Sequence, residues 1–120
     1  MARSRQADGS CNMVDPRMLF YSKLDDKTAE HWLASTKPHP AIAQLTPISY
    51  TAYTHHPLSY IVCTEDMALS PDAQRGMIHQ CKANGLEVDL REVPADHSPY
   101  LSMETETIAI LPKTASASVV

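Results

Sequence analysis

The chain has 120 residues, of which 43% are hydrophobic and 20% charged, with a formal net charge of −4 at pH 7. That is the make-up of one soluble globular domain, and its lysines and arginines, dispersed among aspartates, form no basic stripe for nucleic acid. Three widely spaced cysteines, Cys11, Cys63 and Cys81, suit reduced thiols better than a disulfide framework. No apolar run approaches the roughly 18 residues that span a bilayer, so a cytoplasmic location without membrane contact is expected.

Residues 1–14 are polar and show neither helical nor strand periodicity, which predicts a flexible N-terminal segment. In "DPRMLFYSKL", Asp15 is placed to cap a short helix and Pro16 to open it. "DDKTAEHWLAST" then carries acids in a first turn and Ala29, Trp32 and Leu33 at helical spacing, until Lys37 and Pro38 stop it. Prolines from Pro38 to Pro57, with the run "AIAQL" among them, suggest one short helix and irregular connections. Residues 15–57 therefore read as a helical cap-like segment, in which Met18, Phe20 and Trp32 are expected to pack helices together.

After Pro57 the character changes. "LSYIVCTED" is a continuous apolar run ending in acids, which predicts a strand buried on both faces, with Cys63 in the core. "SPDAQRGMIHQCKANG" predicts a helix capped by Ser70, opened by Pro71, with Ala73, Met77, Ile78 and Cys81 on its apolar face and Gly85 as terminator. "LEVDLREV" alternates, with Leu86, Val88 and Leu90 on the better-buried face. Strand, helix and strand form a parallel βαβ unit. A last helix is expected from Ser102, with Glu104 and Glu106 at its positive end and Pro112 closing it. The fold class is thus α/β, with residues 58–111 as a βαβ-α part and 112–120 as a flexible tail.

In a parallel α/β sheet, functional groups gather beyond the carboxyl ends of strands. Asp66 follows the first strand of the unit and His97, in "VPADHSPYLS", follows the second, so both are expected at one edge. A carboxylate on an imidazole Nδ1 fixes the ring tautomer and leaves Nε2 to take a proton. The structural alternative is a turn-capping aspartate and a surface histidine. His55 and His56 have no cysteine or acid at ligand spacing, so no metal or other cofactor is expected.

"PLSYIVCTEDMALSPDAQRGMI" and "VPADHSPYLS" together resemble the C-terminal portion of α/β-hydrolase-fold proteins, most closely fungal members similar to plant methylesterases and hydroxynitrile lyases. The resemblance implies that Asp66 is the catalytic acid and His97 the base of a partial α/β-hydrolase fold, and that "DPRMLFYSKL" with "AEHWLAS" supplies cap helices. Two departures stand out: Ser22 and Lys23 occupy places where the family's cap motif usually has Asn-Asp, and Tyr53 stands where tryptophan is common.

The family's nucleophile sits in a G-x-S-x-G elbow upstream of the cap. No such motif is present in this sequence, and "ADGSCN" lacks the second glycine, so neither Ser10 nor Cys11 is expected to substitute. The resemblance implies an esterase-like protein acting on a small-molecule ester, in fungal secondary metabolism, as a truncated member whose nucleophile and oxyanion hole lie outside this chain. The alternative is a non-catalytic remnant or accessory protein that binds or assembles. Two parallel strands leave both sheet edges open, so self-association or a partner protein completing the sheet is expected.

Overall fold

A computed structural model describes residues 3–116 of the chain, with side-chain surroundings over 6–111. The polar start is not irregular. Strands β1 (Arg3–Arg5) and β2 (Ser10–Met13) pair antiparallel with Arg3 opposite Met13, and β2 also pairs with the short β3 (His39–Pro40), where Cys11 faces His39. The turn explains the hairpin. Asp8 accepts from the Ser10 amide at 2.9 Å, and Gly9 takes φ +82°, the left-handed region that Asp-Gly hairpin turns require. Residues 3–13, in which the sequence showed no strand periodicity, thus form a hairpin. Apolar periodicity could not reveal a hairpin in which, among the residues whose side chains are described, Cys11 is the buried one, but the Asp8-Gly9 pair was a legible turn signal.

Between β2 and β3 lie helices α1 (Pro16–Phe20) and α2 (Asp26–Leu33). Asp15 caps α1 as its sequence predicts, accepting from the Met18 amide, and Asp25, read from sequence as a first-turn acid, caps α2 by accepting from the Thr28 amide, both at 3.1 Å. The Arg17 guanidinium holds the turn between them by donating to the carbonyls of Tyr21 and Leu24 and pairing with Asp26. Ala29 is fully buried, whereas Met18 is 49% and Trp32 38% exposed. Both were expected to pack helices together, and each keeps a large part of its surface in the open. "AIAQL" forms a 3-10 turn at Ala41–Gln44, and a second 3-10 turn follows at Ala52–Thr54.

The rest is the α/β part. Strands β4 (Leu58–Cys63) and β5 (Val88–Val93) are parallel, in register from Leu58 opposite Val88 to Cys63 opposite Val93, and helix α3 (Pro71–Ala83) connects them. Ser70 caps α3 by accepting from the Ala73 amide at 3.3 Å. At its far end the Leu86 amide returns to the Cys81 carbonyl and the Gly85 amide to Lys82, a Schellman motif with Gly85 at φ +82°. A Cβ at Gly85 would meet nothing within 4 Å, so the cost of Gly85→Ala is conformational alone. We expect a loss of about 1 kcal/mol, read as a lower urea midpoint. An unchanged midpoint would mean that the left-handed turn is not needed.

Burial in this sheet is concentrated at the carboxyl ends of its strands. Val62, Cys63, Val93 and Ala95 are buried, and Ile61, Met103 and Ile110 pack against the cluster. Ser59 is exposed and Leu90 is 38% exposed, so neither the two-sided burial of β4 nor the inward face of Leu90 holds along the whole strand. Two strands cannot cover each other's faces far from α3 and the terminal helices. Those helices are α4 (Pro99–Ser102) and α5 (Glu104–Ser116), so helix begins before Ser102 and α5 continues through Pro112, which was expected to end it at a 112–120 tail. A proline forfeits one amide donor but keeps a helical φ, and here the helix accommodates it. Among the described residues no helix is long and apolar enough to cross a membrane.

Candidate active site

Pairing continues past the ends of β4 and β5. The Thr64 amide donates to Val93 at 2.9 Å and the Glu65 amide to Ala95 at 3.1 Å, so the loops that follow the two strands leave side by side. Asp66 and His97 thereby meet at one sheet edge, with His97 Nδ1 2.9 Å from Asp66 Oδ2. An ionised carboxylate only accepts, so Nδ1 carries the hydrogen and Nε2 keeps its lone pair. That ring can take a proton from a hydroxyl or thiol.

The aspartate is held from every side. It is 6% exposed; Oδ1 accepts from the amides of Ala68 at 2.7 Å and Leu69 at 2.8 Å, while Oδ2 accepts from Gln74 Nε2 at 3.3 Å as well as from His97. Gln74, 2% exposed on α3, also accepts from the Cys63 amide at 3.0 Å and donates to the carbonyls of Cys63 at 3.1 Å and Leu69 at 2.8 Å. One side chain thus fixes the end of β4 and the aspartate loop together. Sequence reasoning missed it by counting apolar positions only. The available signal was a glutamine at positions i and i+4, i+7 with Ile78 and Cys81, a polar group on the inward face.

Asp96 organises the histidine side. It is fully buried; Oδ1 accepts from the Ser98 amide at 3.0 Å and Ser102 Oγ at 2.7 Å, and Oδ2 accepts from the Lys23 amide at 3.0 Å. Lys23 Nζ in turn donates to the Pro94 carbonyl and pairs with Glu65, each at 2.7 Å. Lys23, one of the positions that depart from the family motif, therefore ties the cap to the histidine loop. Phe20 of α1 stacks on the His97 ring, centroids 5.3 Å apart at 28°, which corrects the reading of Phe20 as a helix-packing residue: it covers the site.

His97 and Phe20 face an open cleft of about 580 Å³, lined also by Cys11, Met13, Leu33 and His39. Its size falls among small-molecule sites. Cys11 is buried at this cleft, whereas Ser10 lines a separate hollow with Asp8 and Pro38, away from His97. Cys63 lies behind the site, where burial, reinforced by the charges of Asp66 and Asp96, pushes its thiol up to about 11, so it stays protonated at neutral pH. His55 stacks on Tyr50 at 5.3 Å, and no group of three or more His, Cys, Asp or Glu side chains arranged for a metal occurs among the described residues.

With this geometry in view, the chain can be set beside known proteins. No family model matches it. It is 37% identical over 79 residues to a probable hydrolase, R7, of a Phoma species, covering 65% of this chain and 32% of that protein. It is 28% identical over 98 residues to the alpha/beta hydrolase nvfD of Aspergillus novofumigatus, covering 79% of this chain and 38% of the other. The chain thus spans about a third of the length of these curated relatives, and its likeness is to a C-terminal portion of fungal α/β-hydrolase-superfamily proteins.

Proposed function

We propose that this chain, similar over part of its length to fungal α/β hydrolases, carries the acid and base of an esterase-type site for a small-molecule carboxylic ester, within secondary metabolism. The observation that supports it is the 2.9 Å contact between Asp66 Oδ2 and His97 Nδ1 at the edge of the cleft. In this reading a serine hydroxyl from a segment outside this sequence attacks the ester carbonyl. Its proton passes to His97 Nε2 as the C–O bond forms. His97 then returns that proton to the departing alcohol, and water repeats the cycle to free the acid. Asp66 stays ionised and steadies the imidazolium; Phe20 and the Lys23–Asp96 contacts hold ring and loop in place.

The sequence contains no G-x-S-x-G, which favours a second reading, a non-catalytic protein that binds or assembles. One experiment separates the two: fusing the chain behind the strand, elbow and helix of a related hydrolase and measuring p-nitrophenyl acetate turnover. We expect the unfused chain to show none above a matched blank, and the fusion to show turnover that His97→Ala lowers by about 10²- to 10⁴-fold, the usual worth of a general base. A fusion equally active with alanine at 97 would remove His97 from the chemistry. A folded but inactive fusion would favour the binding reading.

A further inference from the structure

The lining of the cleft is charged in one sense only. Lys37, His39 and His97 border it, and no aspartate or glutamate does among the described residues. Asp66 already compensates His97 from behind, so the unmatched positive charge lies with Lys37, on the connection from α2 to β3, where His39 also lines the cleft. Lys37 makes no ion pair with any described residue. The ring of His39 is oriented. Its Nε2 meets the Gln44 side-chain amide nitrogen, an arrangement that suits the tautomer with its hydrogen on Nδ1, free to donate to an acceptor. The position of His39 is also fixed, by pairing of β3 with β2 directly opposite Cys11. Met13, Pro16, Phe20 and Leu33 are among the apolar side chains that line it.

We propose that the cleft selects amphipathic esters that carry a second, free carboxylate. Lys37 and His39 hold that carboxylate, the hydrocarbon or ring portion lies against Phe20, Leu33 and Met13, and the scissile ester reaches His97. The last clause rests on the esterase reading; the binding does not. A neutral ester of the same shape would lack the ion pair with Lys37, and that difference in affinity is what would make the site discriminate.

The test uses octanoate and 1-octanol, two probes of equal chain length that differ in charge, titrated against the whole chain with the imidazole resonances of His39 and His97 as the readout. We expect octanoate to bind saturably and to shift both rings, and Lys37→Met to weaken it about tenfold, a difference of about 1.4 kcal/mol, with octanol unchanged. Lys37 is exposed and makes no ion pair among the described residues, so its variant should keep the native circular dichroism; His39→Gln provides a second, independent loss of the carboxylate probe. Octanol binding as tightly as octanoate, or octanoate binding undiminished in both variants, would overturn the proposal. Neither probe reacts, so failure here leaves the esterase reading standing, and an inactive fusion that still binds octanoate would remove the esterase reading alone.

Discussion

Gln74→Leu is expected to destabilise the chain by about 3–5 kcal/mol, enough to unfold a domain of ordinary stability under mild denaturant. Leucine nearly matches glutamine in volume, so the effect isolates polar loss from cavity formation. In the native chain Gln74 satisfies the amide and carbonyl of Cys63 and the carbonyl of Leu69, and donates to Asp66. Cys63 is itself buried, so water cannot replace these partners without opening the end of β4. Each orphaned buried group costs about 1–3 kcal/mol; the Cys63 amide and the Leu69 carbonyl lose their side-chain partner together, and the Cys63 carbonyl keeps only the Asp66 amide at 3.4 Å. Gln74→Glu should be no better, because it sets a second carboxylate against Asp66 where an amide now donates at 3.3 Å. Urea unfolding followed by circular dichroism measures both variants. A loss under about 1 kcal/mol for leucine would show that the network around Asp66 is dispensable.

The ease with which the Asp66–His97 pair was read from sequence, and Gln74 was not, has a physical cause. Asp66 and His97 stand just beyond two strands whose pattern is local, and a parallel βαβ connection brings such positions to one edge by topology. The helix caps at Asp15, Asp25 and Ser70 are local too, each using an amide three residues on. Gln74 and Asp96 acquire their meaning from partners that only the folded chain supplies: the Asp96 carboxylate meets the Lys23 amide across 73 positions of sequence. Burial along β5 escaped the alternation rule for the same reason, since Leu90 needs a covering layer that the described sheet does not give it, while Val93 finds one in Cys63, Ala95 and the terminal helices. The catalytic use of the pair is read from turnover.

Asp66→Asn bears on that use most directly. In a fusion that turns over ester, we expect it to lower the rate by about 10⁴-fold, because it removes the correct tautomer and not merely a charge. Asparagine has one carbonyl oxygen and one amino group to place where the carboxylate has two acceptors. The amides of Ala68 and Leu69 both point at the Oδ1 position and require the oxygen there. The amino group is then forced to the Oδ2 position, facing His97 Nδ1 and the Gln74 amide nitrogen. A donor in that place turns Nδ1 into an acceptor and moves the ring hydrogen to Nε2, so the nitrogen that must take the nucleophile's proton is already occupied. Gln74 meanwhile meets a donor with a donor, a mismatch worth about 1–3 kcal/mol of stability. Two readouts keep these consequences apart: imidazole ¹⁵N shifts report which nitrogen holds the hydrogen, and thermal unfolding reports the mismatch. An Asp66→Asn protein that is destabilised yet retains the Nδ1–H tautomer and full turnover would leave Asp66 as a loop anchor, with no part in orienting the base.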